Sequence, residues 1–575
     1  MIFPEKKSEY LDFILEVVKA CTVSSGSRQA LAQYQSNLIE TGRGDKRRAL
    51  VNKLSGHCDR LASYLFSPDS LRFHIGFERH YEKDILAWAE MASRLVTKEW
   101  KRKNIDLTFS MAVEVAVKYG AAIFKLYNDH DGVSSTVIMP WQFGVYDETR
   151  NSLAEQEAVC ETGFMNLHDV WRRIQNLPDA DKLYKRICAN ASKGIASDNP
   201  SSFFHQVVSS SVLNTSGNGN SSTMGGMVTL AGSPGVGYVA PEVDVRVVKY
   251  HQLYIRDDFQ STDMYTGQVC QDYTTALLIE PDVLVTPSLR RSNLWAPKTI
   301  PYSLVQPNIV PGYFWGKSET SDLEEPQMLL AEWMDDIRRI MGNQYDKLLA
   351  FTGYDGISDE VYAASRASGY FNGPPGSSVN DITPKLPSEA LQVVEMLLKQ
   401  MEDMAGFGNI LSGQGEPGVR AGNHAESLIR TASPRLRDRS LIVERQCSDA
   451  AEKTLAKMIV VDGDVYQTAN PSSKADEAKE FQLHMLPEDW ELEVDSHSSS
   501  PVYEQDHKDM TSFGLKAGII NGQTAIEMLP FPNRDLLVTR YHEMQANKAV
   551  ADREKHDLAL QHPEAAAKLL SGKQK

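Results

Sequence analysis

The sequence predicts an α+β fold, on three observations. Apolar residues recur at helical spacing through most of residues 1–118 and again in three stretches between 321 and 460. Short alternating apolar runs, the pattern of half-buried strands, occupy parts of 121–164 and return at 243–254 and 276–284. Segments rich in Gly, Pro, Ser and Asn separate these blocks.

In the first block Val51, Leu54, Cys58, Leu61 and Leu65 make one helical stripe, and Ile85, Trp88, Ala92 and Leu95 make another. A hairpin is expected next: 121–127 and 133–139 flank Asn128-Asp129-His130-Asp131-Gly132, whose residues suit a turn. Strands are expected at 143–146 and 158–164, then a helix over 167–187. Residues 209–237 are rich in Ser, Gly, Asn and Thr and read as an exposed or disordered loop. Two strand-like segments and Pro-rich connections follow, up to Pro311.

The interval 321–460 organises the chain. A first helix opens on a capping box, Ser321 with Glu324, and carries Leu330, Trp333, Met334, Ile337, Met341, Tyr345 and Leu348 to a stop at Gly353. An insert, 354–386, contains Gly373-Pro374-Pro375-Gly376, which neither a helix nor a central strand tolerates. Pro387 starts a second helix with Leu391, Val394, Leu398, Met401 and Met404 on one stripe. Glycines then recur at Gly406, Gly408, Gly413, Gly415, Gly418 and Gly422, and Asn423 with Glu426 caps a third helix. Pro434 either kinks that helix or breaks it in two.

Beyond 460, Asp462-Gly463-Asp464 reads as a tight hairpin turn. The alternations Phe481, Leu483, Met485 and Trp490, Leu492, Val494 read as a strand pair. Residues 503–551 are expected to be helical, with a tail that frays after Ser571.

At 575 residues the chain is long enough for several domains, and 42% hydrophobic with 24% charged residues is the balance of a globular protein. No apolar run is long enough to span a bilayer, and charges interrupt the N-terminus before any signal-peptide core forms, so no membrane partner is expected. The six cysteines are scattered without a CxxC pair and read as reduced thiols. A net charge of −16 argues against a broad nucleic-acid grip, which draws on clustered Lys and Arg. It is compatible with surrounding a duplex without holding it, because a negative wall repels phosphate.

No string anchors an enzyme. Gly312-Tyr313-Phe314-Trp315-Gly316-Lys317-Ser318 approaches a phosphate-cradling loop, but three bulky aromatics stand where four residues must curl. Gly232-Ser233-Pro234-Gly235-Val236-Gly237 lies in the low-complexity loop. Asp129/Asp131 and Asp462/Asp464 read as turn formers before metal ligands. His542 lacks the second histidine of a zinc-hydrolase helix, and no GxSxG elbow occurs. Neither metal nor cofactor is expected. The basic clusters Lys46-Arg47-Arg48 and Lys98 with Lys101-Arg102-Lys103 read as solvated faces or subunit contacts. Arg435, Arg437 and Arg439 splay over different helix faces, with Asp438, Glu444 and Asp449 as expected ion-pair partners.

The order helix, insert, helix, glycine-rich loop, long helix resembles that of portal proteins of tailed double-stranded DNA bacteriophages. The resemblance rests on Gly418-Val419-Arg420-Ala421-Gly422-Asn423-His424-Ala425-Glu426 running into Arg435-Leu436-Arg437-Asp438-Arg439. It rests also on Ser500-Pro501-Val502-Tyr503 through Leu515-Lys516-Ala517-Gly518-Ile519-Ile520. It covers most of the chain and is weakest between 191 and 240. The resemblance implies an α/β wing over 1–320, stem helices at 321–353 and 387–405, and a clip at 354–386. It further implies a tunnel loop at 406–422, a long helix and strand pair at 423–499, and a helical crown and tail over 500–575.

Membership of that family would make the chain one subunit of a ring, expected at twelve copies, at one vertex of a capsid. The ring would channel double-stranded DNA during packaging and ejection, without hydrolysing ATP itself. Its partners would be the large terminase subunit at the clip, then a tail adaptor or head-completion protein, and the major capsid or scaffolding protein at the wing. Its place would be the virion, reached from the host cytoplasm during assembly. The channel-facing residues would be those of the tunnel loop: Gly413, Gly415, Glu416, Gly418, Arg420 and Gly422. Arg420, the only basic residue between Gly406 and Gly422, would touch phosphate briefly or bond a neighbouring subunit's carboxylate. The competing expectation is a nucleic-acid-processing enzyme, nuclease or ATPase, with an unrecognised site; a smaller head–tail adaptor is a third.

Overall fold

The computed structural model describes residues 9–43, 47–68, 71–77, 79, 81, 83–129, 132–193, 246–262, 269–285, 293–345, 349–352, 375–376, 378–382, 385–387, 389–405, 434–461, 463–468, 479–487, 489–494 and 511–520, with isolated positions up to 545. Within them the fold is α+β, built from helices and antiparallel sheets.

The first block contains α1 (Tyr10–Thr22), α2 (Ser25–Thr41), α3 (Leu54–Leu65), β1 (Phe73–Phe77), α4 (Lys83–Arg102) and α5 (Ile105–Tyr119). The expected hairpin is β2 (Ala122–Asp129) with β3 (Gly132–Ile138), in register Ile123↔Ile138 to Asp129↔Gly132. β10 (Tyr302–Val305) joins its other side, giving the order β10-β2-β3. Strand alternation divides this sheet between two cores. Ala122, Phe124 and Leu126 face the main core, where Trp100, Phe109 and Phe124 pack ring against ring. Ala121 and Ile123 face a second core with Phe143, Tyr302 and Phe314.

The second sheet runs β4 (Phe143–Val145), β5 (Ala158–Asn166), β7 (Arg246–Thr262), β8 (Val269–Ile279) and β9 (Val283–Leu284), with β6 (Ser192–Lys193) beside β7. Ile14, Val17, Val18 and Cys21 of α1, at helical spacing, cover one of its faces against Cys160, Leu253, Ile255 and Leu278. The single helix expected over 167–187 is two, α6 (Leu167–Ile174) and α7 (Ala180–Asn190), divided at Pro178 and at Asp179 in the left-handed region. They bury Val170, Ile174 and Ile187 against Val248 and Ile279.

The long helices are α8 (Glu319–Tyr345), α9 (Ala390–Ala405) and α10 (Pro434–Val461). α8 does not run to Gly353: β11 (Leu349–Thr352) pairs antiparallel with β12 (Ser378–Asp381), a ribbon at the base of the 354–386 insert. Pro326 sits inside α8, where its missing N–H removes one helical bond. In α9 the buried stripe is rotated from the expectation. Ala390, Leu397 and Met401 are buried with Val394, Leu398 and Met404 half-buried, whereas Leu391 is exposed. Pro434 is the first residue of α10 as described, the position where a missing N–H costs nothing.

Two strand expectations are corrected. β13 (Tyr466–Thr468) pairs with β14 (Lys479–Phe481), while β15 (Trp490–Val494) pairs with β1 across more than four hundred residues. Leu483 and Met485 lie in a 3-10 turn, so 481–485 is not one strand. Gly463 and Asp464 follow the end of α10 and lead into β13, so they are not the tip of a strand hairpin. Near the C-terminus residues 511–516 are helical and end in a Schellman arrangement: Ile519 N donates to Gly514 O (2.9 Å), Gly518 N to Leu515 O, and Gly518 is left-handed. The loop expected over 209–237 and the cap at Asn423 and Glu426 lie outside the described residues.

Candidate functional site

Gly413, Gly415, Glu416, Gly418, Arg420 and Gly422, with the whole interval 406–433, lie outside the described residues. The frame on either side of them is described. Met401 near the end of α9 and Leu436 at the start of α10 are both buried in the main core, together with Leu323 and Leu330 of α8. The first half of α8 and the last half of α9 thus share one cluster, while their other ends meet the antiparallel β11–β12 ribbon. The two helices therefore pair antiparallel.

α8 begins earlier than expected. Ser318, not Ser321, is its cap: the Ser318 hydroxyl accepts from Thr320 N (3.1 Å) and donates to Lys118 O at the end of α5 (2.6 Å). Close approach here requires glycine. Gly120 and Gly316 have positive φ, and a Cβ at Gly316 would stand 2.7 Å from Asn308 O.

The same turn bears on the phosphate-loop resemblance. Gly312 N donates to Asn151 Oδ1 (2.9 Å), Tyr313 N to Val310 O (3.1 Å), Phe314 N to Glu148 O (2.9 Å) and Lys317 N to Asn308 O (3.1 Å). Phe314 and Trp315 are buried, and Lys317 pairs with Asp322. A cradle needs free amides, and these are already committed.

Behind the cap lies an ion pair that sequence reasoning missed. Arg439 of α10 meets Glu319 of α8 at 3.0 Å, with side-chain exposures of 5% and 1%. Asn308 Nδ2 also approaches Glu319 Oε2, at 3.4 Å. Of the carboxylates expected as partners, Asp449 pairs with Lys453 and Asp438 is exposed. Below Arg439, α10 carries a polar stripe of its own. Gln446 exchanges hydrogen bonds with the Gln306 backbone (2.8 and 3.1 Å), Lys453 donates to Tyr302 O (2.7 Å), and Lys457 donates to Trp295 O (2.8 Å). Positions 439, 446, 453 and 457 share one helix face. That spacing was available in the sequence; its partners in 295–319 were not. A further buried residue, Gln327 of α8, accepts from Lys53 N (3.0 Å) and donates to Val51 O (2.9 Å), fixing the entry to α3.

The basic clusters make local pairs. Arg48 reaches Glu40 (3.5 Å), Arg102 reaches Glu99 (2.8 Å), and Lys103 stands 3.8 Å from Asp129. Among the described residues no group of three or more His, Cys, Asp or Glu side chains is placed to hold a metal ion. Burial pushes the Cys21 and Cys58 thiols up to about 12, and Cys160 and Cys447 higher still, so these four stay protonated and unreactive at neutral pH.

One constellation has the outline of a nucleophile, an imidazole and a carboxylate. The Thr162 hydroxyl lies 3.0 Å from His251 Nδ1, and His251 Nε2 lies 3.3 Å from Glu280 Oε1. The hydrogen bond to His251, together with Lys249, holds the Glu280 carboxyl below its ordinary range. Thr162 and His251 are directly cross-strand in a continuous sheet, and β7 lies between β5 and β8, so its amides serve two ladders. The trio thus satisfies a buried imidazole within a continuous sheet.

No helix among the described residues is long and apolar enough to cross a membrane. No protein-family model matches the chain, and no curated protein matches it.

Proposed function

We propose that this chain is a portal protein: a ring-forming subunit, expected at twelve copies, set at one capsid vertex and enclosing the channel through which double-stranded DNA is packaged and ejected. One observation carries the reading. An antiparallel helix pair, α8 and α9, bears a strand ribbon and insert at one end, and at the other end α9 and α10, both entering one core, flank the glycine-rich interval in sequence. A closed ring of such subunits needs heterologous head-to-tail contacts. The exposed apolar side chains of α8 and α9, among them Leu329, Met341, Leu391 and Met396, are what such contacts would cover.

In this reading residues 354–386 receive the large terminase subunit and later a tail adaptor or head-completion protein. Residues 1–320 meet the major capsid or scaffolding protein, and the interval 406–422 lines the channel. The net charge of −16 keeps a passing duplex from being gripped. The virion, and the host cytoplasm during assembly, are where the protein acts. The nuclease or ATPase alternative gains nothing from the turn at 312–318, where the amides of Gly312, Tyr313, Phe314 and Lys317 are occupied and Phe314 and Trp315 are buried.

Negative-stain microscopy of the purified full chain, with light scattering for mass, tests the proposal. Rings with a central hole are expected. A monodisperse monomer at every concentration overturns it.

A further inference from the structure

A groove of about 840 Å³ runs along the outer side of α10, between that helix, β15 and residues 296–298. Its walls are mixed. Ala456, Ile459 and Val460 give apolar surface, while Glu444, Asp449 and Glu452 from α10 and Glu491 and Glu493 from β15 put five carboxylates along it, Asp449 already paired with Lys453, against the cations Lys298 and Arg445. Glu491 and Glu493 are exposed, pointing away from the core that Leu492 and Val494 enter. Burial, with Asp449 and Glu491 nearby, raises Glu452 to about 7, the condition of a carboxylate that an arriving cation would stabilise. A groove so lined suits an occupant that is both cationic and apolar.

The chain carries such a surface elsewhere. At the corner between α4 and α5, Lys98 and Lys101 are exposed, Arg102 beside them is held by Glu99 (2.8 and 2.9 Å), and the next turns of α5 present Leu107 and Met111, 49% and 59% exposed. Groove and corner are different faces. The groove follows the side of α10 near residues 296–298, whereas the corner sits at the tip of the β2–β3 hairpin, where Lys103 approaches Asp129.

We infer that the groove of one copy receives the α4–α5 corner of a second copy. The heads of Lys98 and Lys101 meet the carboxylates, and Leu107 and Met111 cover the apolar wall. The contact is heterologous, so it propagates from copy to copy and closes only by rotation. It rests on the ring reading and names one pair of faces within it.

Charge reversal tests it on the full chain, by light scattering at low salt. Glu491→Lys with Glu493→Lys should cut the assembled fraction at least tenfold, and Lys98→Glu with Lys101→Glu should do the same. All four substitutions in one chain should restore assembly. So should mixing the two double variants, because each then offers the face that the other needs. Raising salt should weaken the wild-type assembly. These are exposed side chains, and unchanged melting temperatures show that the variants fold; if the groove double variant melts early, Glu491→Gln alone replaces it and should lower assembly less steeply. If the folded groove variant assembles like wild type, or the mixture stays as unassembled as its parts, the inference is overturned and the ring reading stands. A wild-type chain that never assembles removes both.

Discussion

Replacing Arg439 by methionine tests whether α8 and α10 are locked at their roots by charge. The wild-type pair is 3.0 Å apart, with both side chains nearly withdrawn from water. Two unit charges at that distance attract by roughly 5 kcal/mol at an effective dielectric of about 20, against a desolvation cost of several kcal/mol per ion. The intact pair therefore adds little net stability. Breaking it leaves the Glu319 carboxylate buried with Asn308, at 3.4 Å, as its remaining polar neighbour among the described contacts. Arg439→Met should cost about 3–5 kcal/mol, the range for breaking a buried pair from one side. The double variant Glu319→Leu with Arg439→Met should lie within about 1–2 kcal/mol of wild type, because no buried charge is left unmatched. Urea unfolding followed by tryptophan fluorescence reads all four corners of the cycle. A cost below about 1 kcal/mol for Arg439→Met, or a double variant as damaged as the sum of the singles, refutes the argument.

Gly144 of β4 lies so close to Cys21 of α1 that a Cβ would overlap the Cys21 carbonyl. Gly144→Ala should cost about 1–3 kcal/mol and loosen α1, read by urea unfolding and by new reactivity of the Cys21 thiol toward a maleimide. Stability against pH has two opposed parts. His57, lowered to about 4 by burial with Arg60 and Lys53, contributes stability that is lost as pH falls from about 6.5 to about 4. Glu452, raised to about 7 by burial with Asp449 and Glu491, binds a proton more tightly in the folded state, so stability falls as pH rises from about 4.5 to about 7. Glu452→Gln should therefore gain about 1–2 kcal/mol at pH 8, after discounting for solvent in the groove, and gain nothing near pH 4.5; no gain at pH 8 would contradict the assignment. Arg420→Ala should leave ring assembly intact and alter DNA packaging or retention, and unchanged packaging counts against a phosphate contact by Arg420.

Local rules succeed in this chain where the interaction partner is local. The β2–β3 hairpin follows from alternation around turn residues, and α3 and α4 follow from apolar spacing. β1 and β15 show where such rules end. Phe73–Phe77 is a five-residue strand whose partner strand lies beyond residue 489, and nothing in its composition names that partner. Alternation alone favours the nearer pairing, because 481–485 and 490–494 alternate alike, yet the 3-10 turn at Leu483 ends the first run. The start of α8 is hidden for a related reason. Ser321 and Glu324 satisfy the capping pattern, but Ser318 caps because its hydroxyl also reaches Lys118 O, a tertiary contact absent from any local rule. Arg439 invites pairing with nearby carboxylates because separation along the chain is the only distance that a sequence carries.

These long-range contacts converge on α10. Its apolar face enters the main core through Val443, Cys447, Ala450 and Leu455. Its neighbouring polar face fastens residues 295–319 through Arg439, Gln446, Lys453 and Lys457. Its Thr454 meets Trp100 of α4 (3.3 Å), and its Ser448 hydroxyl holds Val494 of β15 (3.1 Å). One helix thereby binds the N-terminal helices, the three-stranded sheet and the β1–β15 pair into one body. If residues 406–422 line a channel, a load on them reaches α10 at Leu436 and Arg439 and α9 at Met401, all buried in the described structure. Close-packed interiors have low compressibility and transmit strain. In that case a loop mounted on buried helix ends resists a moving duplex better than one seated on exposed ends.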